Sequence, residues 1–344
     1  MRRILFGLVV AGFSVWPVSV QKALPRGFEA VDTIVVIYSE NRGFVHLLPR
    51  FPGAIDLAAA PIVSLQQKDR DGSALPFLPP VWRNGKPRPD PNYPNSMPNA
   101  PFGIDEPPYD RPLSVLTPSP VHRFFQNRMQ INGGANDMFV AWTDVGSLVM
   151  GHYKPEGTYL YKLAQEFTLA DQFFMAAFGG SNLNHFWLAC ACTPEFPDAP
   201  EEMRAVLDDS GGLALRPDSP KSALDGPPIW VRDGSVTPDG YVVNTVQPPY
   251  QPSAVPPAEA GDPRYANPAK HPLPPQTLQT IGDLLSEKGV SWAWYAQGWD
   301  VALADRSVIY NVGGAIDFQP HHQPYNYSRT TLRVRRHARG ISRT

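Results

Sequence analysis

A short apolar segment followed by an acid and an amide constrains the fold of this chain more than any other stretch. Residues 34–38 are five consecutive large residues without charge, a pattern typical of a strand buried on both faces of a parallel α/β sheet. Glu40 and Asn41 follow the predicted strand, residues 33–39, at its carboxyl end, where open α/β sheets bind their ligands. Their side-chain oxygens suit a divalent cation. The alternative is a strand that ends in an ordinary polar turn.

The remaining hydrophobic pattern alternates between helices and short apolar strands. With 344 residues, of which 42% are hydrophobic, the chain can bury a core as one large domain or two smaller ones. A helix followed by a strand is the repeating unit of a doubly wound α/β domain. The pattern predicts helices at residues 120–129, 159–167 and 277–288, and further strands at residues 168–174 and 290–295.

Composition indicates proline-rich loops and gives no sign of a nucleic-acid partner. The 40 prolines concentrate between Pro76 and Pro120 and between Pro194 and Pro275. Because proline fixes φ and lacks an N–H donor, these regions are predicted to be long ordered loops or insertions. The net charge is −2, and no basic face is evident before the last residues.

The first residues are predicted to be a signal peptide, residues 1–23. Arg2 and Arg3 supply positive charge, and residues 4–18 form an apolar run of about fifteen residues, too short for a comfortable membrane span. We expect export to the periplasm or the extracellular space, with no stable membrane span. The cleavage region lacks a clear small-residue pattern, so an uncleaved anchor is the alternative, and the paired arginines leave twin-arginine export open.

A glycine-rich turn precedes Ser181. Gly179 and Gly180 allow a tight turn, and Ser181 then opens a helix that runs through Leu188. A serine at a helix N-terminus lies where N–H groups and the helix dipole favour an anion, which suits attack on a phosphate. The turn is neither a Gly-x-Ser-x-Gly elbow nor a P-loop. The alternative is that Ser181 is an ordinary N-cap.

Three histidines and one aspartate are further candidates for a site. His122 lies in the first turn of the predicted helix 120–129, where a surface or capping role is the alternative. Asp137 follows a turn rich in glycine and asparagine and could be merely an N-cap. His321 and His322 are adjacent between prolines, so they point in different directions and only one is expected to face a site. A surface loop is the alternative for this pair.

The two cysteines, Cys190 and Cys192, are predicted to be buried small apolar residues. Their spacing is poor for a mutual disulfide, and no histidines or further cysteines are spaced to complete a zinc site. In an exported protein, one of them could instead pair with a partner chain.

Taken in order, these motifs resemble the bacterial phosphoesterase family of acid phosphatases and phospholipase C enzymes. The resemblance covers about residues 31–327 and implies an alkaline-phosphatase-like α/β fold, with a doubly wound sheet, helices on both faces and a metal at the active site. A serine at position 181 resembles the acid-phosphatase branch, since the phospholipase branch tends to have threonine there. The resemblance is carried by Glu40, Asn41, Trp142, residues 177–181, Asn184, His185, residues 291–295 and residues 321–324.

The resemblance implies roles for individual residues. Ser181 would be the nucleophile that forms a phosphoserine intermediate, with His122 and His322 as further catalytic groups, one of which protonates the leaving oxygen. Asn41, Asp137 and His321 would bind the substrate, either a phosphate-ester small molecule or a phospholipid head group. A divalent metal ion of unknown identity would be held by Glu40, Asn41 and Ser181.

Two departures from the family pattern affect the expected activity. The family pattern Glu-Asn-x-Ser-Phe-Asp corresponds to residues 40–45, where Val45 replaces the last acid. The family also continues past the paired histidines to adjacent acidic residues that complete the metal site, whereas residues 328–344 carry six arginines and no acid. We therefore expect an incomplete phosphoesterase domain, residues 24–327, that lacks its C-terminal part. Residues 328–344 would be a basic tail outside the fold, read out of frame or from a truncated gene; a native tail that binds an anionic surface is the alternative.

The sequence thus predicts metal-dependent hydrolysis of phosphate esters of the acid-phosphatase type, impaired by the loss of metal ligands. Two alternatives remain. The chain could be an inactive remnant that retains a phosphate-binding pocket, or it could be a phosphodiesterase of the phospholipase C type.

Overall fold

A computed structural model of the protein describes residues 30–54, 56–83 and 85–329. The chain divides into two units, Met1–Asn41 and Arg42–Thr344, and residues 30–41 represent the first unit here. In the second unit the α-helices are α1 (Phe44–Leu47), α2 (Ile62–Leu65), α3 (Phe124–Ile131), α4 (Tyr159–Glu166), α5 (Ser181–Cys190), α6 (Ile281–Glu287) and α7 (Trp299–Ala304). The strands are β1 (Trp82–Arg83), β2 (Lys86–Pro89), β3 (Phe102–Gly103) and β4 (Gly151–His152). Short 3-10 helices include Leu57–Ala59, Asn132–Gly134, Ser147–Met150, Glu201–Met203, Pro268–Lys270, Arg306–Val308, Pro320–His322 and Pro324–Asn326.

The sheets within the described residues are small. β1 pairs antiparallel with β2, and β3 pairs parallel with β4. Helices and strands occur together, which confirms a mixed α/β class. The alkaline-phosphatase-like doubly wound sheet stays a prediction, because each of these sheets has two strands.

The three predicted core strands are not strands in the described part of the chain. Residues 33–39, 168–174 and 290–295 form no strand. Most of their large side chains are exposed, with Ile37 85% and Phe173 87% exposed, whereas Leu169, Trp292 and Trp294 are partly buried. A β-strand needs a neighbouring strand to satisfy its backbone N–H and C=O groups. The prediction of three strands was therefore wrong, because within the described residues no segment pairs with them.

The predicted helices form, with shifted boundaries. Residues 159–167 become α4, where the side chain of Thr158, the N-cap, accepts from the N–H of Tyr161. Residues 277–288 become α6, which begins later because Thr280 and Asp283 form a capping box at its start. The helix predicted from residue 120 begins only at Phe124, since Arg123 is extended with φ −123° and ψ 159°. His122 therefore precedes α3 instead of lying in its first turn.

Helix α5 is fixed by the core on several sides. Leu183 and Phe186 are buried in two clusters of apolar side chains. The Phe186 ring packs on Tyr327 with 4.9 Å between centroids, and the Tyr327 hydroxyl donates to the carbonyl of Val246 at 2.7 Å. These contacts hold the N-terminus of α5 in one position. A separate cluster under β1 and β3 is built from Leu75, Leu78, Val81, Tyr93, Met97, Ile104, Val140, Val145, Leu148, Tyr153 and Ala223.

The prediction that Cys190 and Cys192 are not bonded to each other is wrong. The structure joins them in a disulfide with their Cα atoms 5.1 Å apart, within the range such bonds need. Ala191 between them has φ +48° and ends α5 in the left-handed region. That reversal brings together two side chains that an extended or helical backbone would keep apart.

Within the described residues, no helix is both long enough and apolar enough to cross a bilayer. The predicted signal peptide, residues 1–23, lies outside the described residues, as do residues 330–344. Ser328 and Arg329 at the start of the predicted basic tail are described: Ser328 is buried, and the Arg329 N–H donates to the carbonyl of Gln276 at 2.9 Å. The chain therefore keeps contacts with the core two residues past Tyr327.

Candidate active site

The two glycines before Ser181 are required by the backbone. Gly179 has φ +117°, in the region that favours glycine. A Cβ on Gly180 would lie 2.7 Å from the carbonyl oxygen of His122, closer than a methyl group can approach. The turn thus brings the His122 segment directly against the start of α5, as a glycine-rich turn allows.

Ser181 is the first residue of α5, and Gly180 is its N-cap. The alternative that Ser181 is an ordinary N-cap is therefore wrong. The side chain of Ser181 is 8% exposed, at the end of the helix where backbone N–H groups lack helical partners. This is the environment that the sequence predicted for an anion-binding serine.

His122 is held by a backbone contact before α3. Its Nδ1 lies 2.8 Å from the carbonyl oxygen of Pro120. Because a carbonyl can only accept, Nδ1 carries the proton and Nε2 has the lone pair in the neutral ring. The first N–H of α3, on Phe124, donates to the side chain of Asn244 at 3.0 Å, which connects this segment to the loop after α5.

One pocket unites three of the predicted site residues. His122, Ser181 and His321 line a cavity of about 370 Å³, together with Arg123 and Asn244. This volume is in the range of small-molecule sites. The pocket opens at the N-terminus of α5, so the serine, two histidines and a guanidinium group surround the same space.

Arg123 adds positive charge to this pocket. One terminal nitrogen donates to the carbonyl of Asp233 at 2.9 Å, and its Nε lies 3.3 Å from the Asp233 carboxylate. Burial raises the pKa of Asp233, although the charge of Arg123 and a hydrogen bond from Gln126 act in the opposite direction. Arg123 is thus held by two backbone carbonyls and by the Asp233 carboxylate, which offsets part of its charge. Asp144 also lines the pocket and adds an acidic group.

His322 faces a different partner from His321. Its ring lies parallel to that of His185, with 4.7 Å between centroids and 10° between planes, and ring nitrogens of the two residues lie within 4.8 Å of each other. The adjacent histidines do point in different directions, as the sequence predicted, but each has a defined environment.

His185 was given no role by the sequence, and it is 5% exposed. Its Nδ1 lies 2.7 Å from the carbonyl oxygen of Ser181, so Nδ1 is the protonated nitrogen and Nε2 has the lone pair. This arrangement, one ring nitrogen bonded to a carbonyl, is the usual one for histidines that ligate metals. The available signal was the spacing of Ser181 and His185, four residues apart on one face of a helix.

The other predicted site residues lie elsewhere. Asp137 forms an ion pair with Lys68 at 2.6 Å and accepts from the Asn132 amide at 2.8 Å, and it is not among the residues that line the pocket. Burial acts to raise the pKa of Asp137, but the bonds from Asn132 and Lys68 outweigh it and lower the pKa. Glu40 and Asn41 end the first unit, where Asn41 has φ +71°. The roles given to these three residues stay predictions.

The sequence also matches a known family over most of its length. Residues 31–341 match the Phosphoesterase family. This range includes every candidate site residue named above, and the match confirms the resemblance. The match runs through most of the arginine-rich segment. The family acts on phosphate esters, in agreement with a pocket built around a serine at a helix N-terminus. The chain belongs to the Phosphoesterase family.

Proposed function

We propose that this protein hydrolyses phosphate monoesters in the manner of an acid phosphatase, through a phosphoserine intermediate on Ser181. The observation that carries the proposal is the shared pocket of Ser181, His122 and His321 at the N-terminus of α5. The N-terminus of a helix and its dipole favour a negative phosphoryl group there, and Arg123, which is paired with Asp233, lines the same pocket.

The reaction divides between the serine and a histidine. The Ser181 hydroxyl gives its proton to Nε2 of His122, and its oxygen bonds to phosphorus as the bond from phosphorus to the leaving oxygen breaks. Nε2 can accept this proton because Nδ1–H stays bound to the Pro120 carbonyl, and it passes the proton to the leaving oxygen. Water then gives a proton to Nε2 and bonds to phosphorus as the bond from phosphorus to the Ser181 oxygen breaks. Nε2 returns that proton to Ser181, and inorganic phosphate leaves.

The residues present fit a divalent metal ion. Two imidazoles with nitrogens within 4.8 Å, one of them held in a ligating tautomer by the Ser181 carbonyl, suit a transition metal. We propose that His185 and His322 hold this ion with the oxygen of Ser181, while Glu40 and Asn41 stay ligands that the resemblance alone implies. When bound, the ion would favour the serine alkoxide and offset charge on the phosphoryl oxygens. His322 thus serves the site as a ligand.

A second candidate function is an inactive protein that retains the phosphate pocket. It is favoured by Val45, which stands where the family pattern Glu-Asn-x-Ser-Phe-Asp has its last acid. A phosphodiesterase of the phospholipase C type is a third, but Ser181 favours the monoesterase by resemblance. Metal content and activity together separate the first two functions, and a diester substrate tests the third.

We also propose that the protein is exported. The apolar segment 4–18 after two arginines is typical of a signal peptide. The bond between Cys190 and Cys192 supports an oxidising compartment, because disulfides persist mainly outside the cytosol. Fractionation of cells that express the full chain, followed by detection in the periplasm and medium, tests this.

The hydrolase proposal is tested with p-nitrophenyl phosphate, with and without added divalent metals. We expect metal-stimulated turnover that Ser181→Ala lowers by at least about 10³-fold, as loss of a nucleophile does in other hydrolases. Ser64→Ala, at an exposed serine of α2, is the control and should keep full activity. Acid quenching should trap a phosphoryl group on the peptide that contains Ser181. An inactive protein that binds no metal would support the remnant instead.

A further inference from the structure

We propose that Tyr310 and Gln247 position His321 with its proton on Nε2, so that His321 donates a hydrogen bond to a phosphoryl oxygen in the pocket. This inference rests on the proposed phosphatase function and deepens it. It assigns His321 a defined direction of hydrogen bonding and names two positioning residues that are far from Ser181 in sequence.

The direction of the chain of hydrogen bonds starts at Gln247. The backbone N–H of Ala254 donates to the side-chain oxygen of Gln247 at 3.1 Å, which fixes the orientation of the amide. Its nitrogen therefore faces the hydroxyl of Tyr310, 2.7 Å away. An amide nitrogen only donates, so the Tyr310 oxygen is the acceptor in this contact.

The Tyr310 hydroxyl then has its own proton to donate. Nδ1 of His321 lies 2.9 Å from the Tyr310 oxygen. Because that oxygen already accepts from Gln247, we assign its hydroxyl proton to Nδ1, which accepts it. Partial burial raises the pKa of Tyr310, although the bond from Gln247 opposes this, so the hydroxyl keeps its proton at neutral pH. The neutral His321 ring must then carry its proton on Nε2.

Tyr310 is held in place by an unusual backbone conformation. Its φ is +57°, a region that bulky residues rarely occupy. Its N–H donates to the carbonyl of Phe318 at 3.0 Å, and the N–H of Phe318 donates back to Val308 at 2.8 Å. Strained residues of this kind cluster at functional sites, and this one places a hydroxyl against a pocket histidine.

The two histidines of the pocket consequently carry their protons on opposite ring nitrogens. His122 bonds the Pro120 carbonyl through Nδ1–H, so its Nε2 accepts a proton in the neutral ring. His321 accepts at Nδ1 and donates from Nε2. A pocket for a phosphate ester needs both kinds of group, one that exchanges a proton with the leaving oxygen and one that binds a phosphoryl oxygen without exchanging it.

The test uses the full chain and two substitutions. Tyr310→Phe removes only the hydroxyl. Gln247→Glu keeps the shape but replaces the donor with a carboxylate, so the Tyr310 hydroxyl donates to Glu and His321 should move its proton to Nδ1. Tyr265→Phe is the matched control, because Tyr265 is 38% exposed and Tyr310 is 37% exposed.

The first measurement is the tautomer of His321, from long-range ¹H–¹⁵N spectra of histidine-labelled protein, with the signal assigned by its loss in His321→Asn. We expect the Nε2–H form in the unaltered protein and in Tyr265→Phe, and the Nδ1–H form in Gln247→Glu. The Nε2–H form persisting unchanged in both Gln247→Glu and Tyr310→Phe would overturn the proposal.

The second measurement is the dissociation constant of inorganic phosphate by calorimetry. We expect Tyr310→Phe to weaken binding by about tenfold, the effect of one well-oriented hydrogen bond, and Gln247→Glu to weaken it at least as much. Equal affinity in Tyr310→Phe and Tyr265→Phe, or no phosphate binding to the unaltered protein, would overturn the proposal. Neither measurement needs turnover, so an inactive protein with the expected tautomer and affinities would contradict the hydrolase alone.

Discussion

The imidazole rings of His185 and His322 lie parallel, with 4.7 Å between their centroids and 10° between their planes. They belong to α5 and to the 3-10 helix Pro320–His322, which are separated by more than a hundred residues. The stacking brings ring nitrogens of the two residues within 4.8 Å of each other, and imidazole nitrogens are ligands that suit transition metals.

Replacing either ring should lower the metal content. We expect His185→Gln and His322→Gln each to weaken binding of a divalent transition metal by at least about tenfold, since even residues that only support ligands cost this much. Elemental analysis after dialysis against a limiting metal concentration measures the change. His271→Asn, at an exposed histidine with φ +51° that asparagine tolerates, is the control. Metal content equal to the control in both variants would contradict the assignment.

A methyl group at Gly180 should disrupt the active site. In Gly180→Ala the new Cβ would lie 2.7 Å from the carbonyl oxygen of His122, so one of the two segments must move. We expect a loss of about 1–3 kcal/mol in the free energy of unfolding, as for other overpacked positions, and a fall in kcat for p-nitrophenyl phosphate.

The control for Gly180→Ala is Gly212→Ala, where the nearest atom to the new Cβ is 3.4 Å away. Urea unfolding and steady-state kinetics should show little change in this variant. If Gly180→Ala keeps the stability and the kcat of the control, the close approach of the His122 segment to the start of α5 is not needed for activity.

Local signals were sufficient to predict the start of α5. Gly179, Gly180 and Ser181 encode the turn and the helix N-terminus within a few residues, and the structure places them as expected. The strand at residues 33–39 could not be predicted in the same way, because a strand depends on partners that are distant in sequence. The apolar pattern describes the tendency of this segment to form a strand and does not reveal whether a partner strand is present.

The sequence singled out residues that the structure brings together, but not their partners. Ser181, His122 and His321 line one pocket, while their roles stay predictions. The stacking of His185 on His322 and the chain from Gln247 through Tyr310 arise from contacts between distant segments, 63 residues apart in the case of Gln247 and Tyr310. The disulfide was missed because it depends on the left-handed backbone of Ala191, which the residue type does not reveal.

Asp137 should act in stability and not in phosphate binding. Its pKa is lowered in the folded protein, where bonds from Asn132 and Lys68 outweigh burial. A carboxyl group whose pKa is lower in the folded state stabilises the fold at pH values above its pKa in the unfolded state. This stability is lost as the pH falls through the pKa of the folded state. Asp137→Asn should therefore have a lower urea midpoint than the unaltered protein at pH 7. The free energy of unfolding should fall by about 1 kcal/mol or less, because Lys68 is partly exposed. The difference should vanish at acid pH.

The affinity of Asp137→Asn for inorganic phosphate should equal that of the unaltered protein. A weaker affinity with unchanged stability would instead support the role in substrate binding that the sequence resemblance implied. Calorimetry at pH 7 and urea unfolding at neutral and acid pH separate the two roles.

The cysteines should be unreactive until the protein is reduced. Cys190 ends α5 and is bonded to Cys192, so thiol reagents should label neither residue in protein purified without a reductant. The bond closes a very short loop and restricts the unfolded chain less than a long loop would. We therefore expect Cys192→Ser to free one reactive thiol while lowering the melting temperature only slightly. Mass spectrometry after labelling, with and without reductant, measures this, and full labelling of both thiols before reduction would show that the bond is absent.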